Sequence, residues 1–340
     1  MEIEEIVPDT PKLRLVLKKL VSAPVLVSAP VLVSASAPTS DTRKPVKILT
    51  KNSSCAIQTV PEKLVKSQVI SASRRTDIPA FFMPLMLEGM QRGWMNVTSP
   101  YGVKSSVSLS SKDVKCIVWW SKNYANWITT YRANLSLFSQ YKHMFNFTLI
   151  GNDALEHGVT SSLDERLQQL TYLVETFGSQ TIKLRFDPIV IYYDKNGKLC
   201  DNLENYQKIV ETAHNLGITQ VIFAFCLAYP KVVGRFEKAG MRLKTLDTDE
   251  QMHVLDQLIA INDQFDIHLE TCCNSTLIGY RGITASKCVD GQIIDQLFSL
   301  KSTKKDPGQR KECGCVVSRD IGSYTLKCPN SCLYCFANPV

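Results

Sequence analysis

The chain has 340 residues, room for one large domain or two ordinary ones. Hydrophobic residues make up 44% and charged residues 21%, which excludes collagen, a coiled coil or wholesale disorder as a description of the whole. Its 39 Lys and Arg against 32 Asp and Glu leave +7, a balance that permits a polyanionic partner without requiring one.

The chain opens Met1-Glu2-Ile3-Glu4-Glu5, acidic where a secretory signal is basic. No stretch has the 18 or more uninterrupted apolar residues of a membrane span. The expectation is a cytoplasmic protein with no membrane partner. Residues 21–38 repeat VSAPVL, VSAPVL, VSASAP. Pro24, Pro30 and Pro38 forbid a helix and spoil a sheet, so residues 1–60 read as a low-complexity, disordered leader and 61–340 as the folded domain.

From about residue 66, short β-rich runs alternate with longer amphipathic ones. Strands are predicted at 69–72, 116–121, 144–150, 181–186, 220–226 and 268–272. Helices are predicted at 79–92, 126–140, 163–176, 203–216 and 248–263. Leu163, Leu167, Leu170 and Leu173 follow the 3.6-residue period. Repeated βα units of this size predict an α/β fold with a parallel sheet, curled into a partial or closed (β/α) barrel.

Function in such barrels gathers at the carboxyl ends of the strands. The predicted strands run into Ser73-Arg74-Arg75-Thr76-Asp77, Ser121-Lys122-Asn123 and Arg185-Phe186-Asp187-Pro188, and the last carries His268 and Glu270. These groups are expected on one concave rim. Asp77 before Ile78-Pro79 also suits a helix cap, and Arg185 with Asp187 a structural ion pair.

Twelve cysteines are many for a reducing compartment, where clustered thiols point to metal or redox chemistry. Cys55, Cys116, Cys200 and Cys226 stand alone, as small apolar core residues do. Cys272, Cys273, Cys288, Cys313, Cys315, Cys328, Cys332 and Cys335 crowd the last fifth. Cys328-Pro-Asn-Ser-Cys332-Leu-Tyr-Cys335 has the spacing C-x3-C-x2-C. Three thiolates so close can wrap one face of an iron–sulfur cube and leave its fourth iron open to a small bidentate ligand. A structural zinc site wants four protein ligands. Cys313-Gly-Cys315, with Cys272 and Cys288, supplies four more thiols. They form either a closed auxiliary cluster or zinc site, or an apolar packing group beside the first.

At Cys328, Cys332 and Cys335 the chain resembles the radical S-adenosylmethionine superfamily, whose motif has an aromatic at the position of Tyr334. The resemblance implies a [4Fe–4S] cluster on those three cysteines, with S-adenosylmethionine as a second cofactor and an external electron donor. It also implies a 5′-deoxyadenosyl radical directed at a substrate that the resemblance does not name. The superfamily's motif follows the first barrel strand, near the N-terminus, whereas here it lies at 328–335. A permuted barrel reconciles the two, with 321–326 as the first strand placed last in the chain. Arg74, Arg75 and Asp77 are then expected on the methionine carboxylate and amine, Tyr334 on the cofactor, and Arg185 and Asp187 on the substrate.

The segments VISASRRTDIPAFF, VWWSKN, FNFTLIG, LRFDPIV, ASKCVD, CGC, SRDIGSY and CPNSCLYCFAN together resemble the bacterial family called domain of unknown function 1848. The resemblance covers nearly all of 66–340 and supports the cofactor better than the substrate. Where that family tends to carry an acidic residue after the cysteine near 272, this chain has Cys273 and Asn274. The competing reading is a nucleic-acid-binding protein with a structural metal. It draws on the basic run Lys301, Lys304, Lys305, Arg310 and Lys311, and on Trp119 and Trp120 as stacking groups.

Overall fold

In the computed structural model, Val69–Ala72 (β1) is a fully buried run of four residues whose partners lie on both sides. It pairs in parallel with Cys116–Ser121 (β2), and in parallel with Arg319–Asp320 (β8) on its other edge. The sheet continues from β2 through Lys142–Thr148 (β3), Ile182–Ile189 (β4), Gln220–Phe225 (β5), His268–Thr271 (β6) and Thr284–Ala285 (β7), every pair parallel. The order across its eight strands is β7-β6-β5-β4-β3-β2-β1-β8. Among the described residues no ladder joins β7 to β8, so the sheet is an open parallel one. Those residues are 61–99, 101–151, 153–301, 304–337 and 339, within one unit, Thr59–Val340. The leader expected over 1–60, and Cys55 with it, lies outside the described residues.

Side chains on a strand alternate between faces, and the two faces here differ. Ile70, Ile117, Trp119, Phe145, Phe147, Leu184, Phe186, Val221 and Phe223 point into the main core. There they meet helices Ile78–Phe81 (α1), Met83–Arg92 (α2), Ala125–Ala133 (α3), Leu163–Phe177 (α4), Tyr206–Asn215 (α5), Pro230–Lys238 (α6) and Thr248–Asn262 (α7). α4 and α7 each begin with a complete capping box, Ser162 with Glu165 and Asp247 with Glu250. On the opposite face Val69, Cys116, Val118 and Met144 are covered by Cys288, Val289, Cys313, Cys315 and Val316, and by Ile294 of helix Gly291–Phe298 (α8).

Three expectations shift. The helix predicted over 126–140 breaks at Asn134 into α3 and a short turn, Leu135–Phe138. The last strand is Arg319–Asp320, not 321–326. Beyond it Ile321 N–H still donates to Ser71 O, and the chain then runs to the antiparallel hairpin Trp94–Thr98 and Lys104–Ser108, where Tyr324 N–H donates to Thr98 O. His268 is the first residue of β6 and therefore lies at its amino end, exposed and bonded to Thr284 Oγ1. The carboxyl end of β6 runs instead into Cys272.

Candidate metal centre

The terminal cysteines lie on a loop clamped from four directions. Asp77, the N-cap of α1, accepts from Ala80 N–H and Ser121 Oγ with Oδ1, and from Lys122 N–H and Asn330 Nδ2 with Oδ2. One carboxylate thus ties the ends of β1 and β2 to the cysteine loop, and four protein donors fill its acceptor positions. Burial raises its pKa, and the hydrogen bonds from Lys122, Ser121, Ala80 and Asn330 pull the other way. Gly158 N–H donates to Asn330 O, and Leu333 N–H to Leu155 O. A Cβ on Gly158 would stand 1.8 Å from Pro329 O, so only glycine permits this approach. From α6, Arg235 Nε donates to Leu333 O at 3.0 Å, and its guanidinium also binds Cys335 O.

Cys328 and Cys332 are buried and Cys335 half-buried. Backbone N–H groups of Asp77 and Asn330 bond Cys328 Sγ, and Ala337 N–H bonds Cys335 Sγ at 3.3 Å. The Lys122 ammonium acts on Cys332 and lies over the Tyr334 ring at 5.1 Å. It forms an ion pair with Glu156 at 2.8 Å, and Arg166 approaches the same carboxylate at 3.6 Å. Tyr334 donates its hydroxyl to Glu156. Burial alone would raise the Glu156 pKa, but Lys122 and Arg166 outweigh it and hold the carboxyl below its ordinary value.

The remaining predicted residues divide. Arg185 Nη1 donates to Cys288 Sγ at 2.8 Å, and its other nitrogen binds Asp187. Asp187 acts electrostatically on Lys122, Cys226 and Cys272. Arg74 donates its backbone N–H to Asp320 Oδ2, and the Arg74 and Arg185 guanidinium carbons lie over the Trp120 ring at 5.1 and 5.4 Å. Arg74 Nη2 is buried with no hydrogen-bond partner. Arg75 instead reaches Gly322 O and the Tyr324 ring. Trp119 is fully buried and donates to His143, so it has no face for a base to stack on.

Cys313 and Cys315 do not join the terminal loop. They pack with Cys288, Cys272 and Cys273 against the sheet face opposite the main core, its inner face. Among the described residues no three His, Cys, Asp or Glu side chains converge on a point where one ion would sit. A cavity of about 300 Å³ opens at the carboxyl ends of β4 and β5, with Cys226, Cys272, Cys273, Gln251 and Arg310 in its wall.

Glu156, Asn330, Arg235 and Gly158 escape the sequence reading. Asn330 sits inside the cysteine motif, which is a signal of place though not of role. The other three come from loops or helix surfaces with no motif around them.

The fold and site define an α/β protein whose parallel sheet gathers two sets of cysteines, one on a loop at its carboxyl edge and one on its inner face. Residues 69–337 match the family described as Domain of unknown function (DUF1848), and the chain belongs to that family. No curated protein and no solved structure matches it. No helix among the described residues is long and apolar enough to cross a membrane.

Proposed function

We propose that the chain is a radical S-adenosylmethionine-type enzyme on a permuted, partial (β/α) barrel. The observation that carries this reading is the pairing of β8 beside β1. It puts the loop bearing Cys328, Cys332 and Cys335 after an edge strand and against the first βα turn, the place such a loop holds in an unpermuted barrel.

The residues present fit a thiolate-bound cluster. Backbone N–H groups point at Cys328 and Cys335, and an ammonium stands by Cys332. Burial raises the pKa of the Cys328 and Cys332 thiols, while the N–H donors on Cys328 and the ammonium beside Cys332 pull the other way. Three thiolates leave one iron open. When bound, a [4Fe–4S] cluster with S-adenosylmethionine supplies reductive cleavage to a 5′-deoxyadenosyl radical, given an external one-electron donor.

The protein's own groups then divide the work. Asp77 positions the loop, because its four acceptor sites are already committed to protein donors. Arg74, with one buried nitrogen unpartnered, is the guanidinium left to take a carboxylate. Tyr334, held by Glu156, packs under Lys122 at the cofactor. Asp187, the more accessible member of its pair with Arg185, faces the substrate.

The test is anaerobic reconstitution of the full chain. About four iron and four sulfide per chain are expected, with 5′-deoxyadenosine formed on reduction with S-adenosylmethionine. Cys332→Ala should lose that iron. A fully loaded cluster that yields no 5′-deoxyadenosine, even with cell extract as substrate, would overturn the reading.

A further inference from the structure

The cysteines on the inner face form a closed ring of sulfur contacts. Cys272 Sγ lies 3.7 Å from Cys273 Sγ and 3.7 Å from Cys288 Sγ. Cys288 is in side-chain contact with Cys315, Cys315 with Cys313, and Cys313 with Cys273. These thiols come from three separate segments: the carboxyl end of β6, the loop before α8, and the irregular stretch before β8.

Apolar packing accounts for burial of cysteine but not for what surrounds these sulfurs. Arg185 donates to Cys288 Sγ at 2.8 Å, Val289 N–H to Cys315 Sγ at 3.3 Å, and Cys315 N–H to Cys313 Sγ. A neutral thiol is a weak acceptor, and a set of charged and backbone donors aimed at sulfur is the outer shell of a metal-bound thiolate. Cys273 adds a left-handed backbone, φ 55°, a strained state for a non-glycine residue and one that gathers at functional sites.

Spacing indicates the kind of metal. A tetrahedral zinc with Zn–S of about 2.3 Å sets its sulfurs about 3.8 Å apart. Between two of the thiols, Cys272 and Cys288, the spacing is 3.7 Å. Loading requires the thiols to turn inward, since no three of them now share a centre.

We propose that Cys272, Cys288, Cys313 and Cys315 hold a single zinc ion as a closed four-thiolate centre, separate from the terminal cysteines, with Cys273 at its edge. Its work is to staple the cover of the inner face to β6. Residues 304–317 make one isolated bridge, Lys305 with Val316, and otherwise have no helix or strand to hold them. A structural zinc supplies the folding energy that such a segment lacks.

The proposal does not depend on the radical reading, and its test removes that site. In full-length protein carrying Cys328→Ser, Cys332→Ser and Cys335→Ser, purified without reconstitution, elemental analysis should find about one zinc per chain in a colourless protein. Adding Cys313→Ser and Cys315→Ser should remove the zinc, while Cys273→Ser should keep it. If the five-site variant does not fold, cobalt(II) exchange into the triple variant gives the same answer, since four thiolates produce strong sulfur-to-cobalt charge-transfer absorption. Absence of zinc and of that absorption, visible absorption from bound iron, or a disulfide among these thiols in anaerobic preparations would each overturn the proposal.

Discussion

Asn330 Nδ2 donates to Asp77 Oδ2 at 2.8 Å across 253 positions of sequence. The last loop of the chain is thereby fastened to the first helix cap of the sheet. Asp77→Ala removes a cap and three further bonds, and leaves the Ser121, Lys122 and Asn330 donors to find other acceptors. A loss of about 2–4 kcal/mol is expected, together with poor retention of iron by the terminal loop. Urea denaturation and iron analysis of reconstituted protein check both. A variant with unchanged stability would show that the clasp carries no energy.

Glu156 bears the charge balance beneath that loop. Its carboxylate faces Lys122 and Arg166; Glu156 and Arg166 are buried and Lys122 is partly buried. Glu156→Ala would strand the buried Arg166 and the partly buried Lys122, at a cost of about 3–5 kcal/mol. Glu156→Gln should be nearly as damaging, because it keeps an acceptor for Tyr334 but not the charge. Equilibrium unfolding of the two variants decides whether charge or the hydrogen bond matters.

Gly158 tests docking by sterics alone. The Cβ of Gly158→Ala would overlap Pro329 O, a backbone atom that cannot rotate away. The loop must shift, and a cost of about 1–3 kcal/mol is expected, with a lowered iron-to-protein ratio after reconstitution. An alanine variant with wild-type melting temperature and iron content would show that the loop does not dock there.

His143 gives the protein an acid limit independent of any metal. Its Nδ1 accepts from Trp119 Nε1–H at 3.1 Å, so the neutral ring donates from Nε2 to Phe138 O at 3.0 Å. Burial lowers its pKa from 6.5 to about 4. The unfolded chain therefore binds the extra proton first. Stability from this group is present above pH 6.5 and lost as pH falls towards 4, by about 3 kcal/mol in all. In His143→Phe that slope should vanish from the unfolding free energy measured across the same range. A wild-type profile flat between those limits would contradict the neutral buried ring.

Much of the fold was legible because it rests on local patterns. The runs 69–72 and 116–121 coincide with β1 and β2, and the leucine period at 163–173 with α4. Apolar alternation and helical period act over a few residues, so one stretch of sequence contains the whole cause. The cysteine spacing at 328–335 is local in the same way, and it marked the loop. The permuted neighbourhood of the last strand was inferred from that motif, and its register, Arg319 against Ile70, came only from the fold.

Tertiary structure alone decided how the two sets of thiols separate, and which donors Asp77 meets. Cys313 and Cys315 stand nearer in sequence to Cys328 than to Cys272, yet pack with Cys272 and Cys288 on the other face of the sheet. Asp77 reads from the sequence equally well as a cap and as a cofactor anchor; the fold shows that it caps α1 and that Asn330 and Lys122 donate to its second oxygen. His268 read as a rim residue until the register put it at the amino end of β6. Each of these outcomes depends on which residues the parallel sheet brings side by side across tens to hundreds of positions, and no spacing along the chain encodes that.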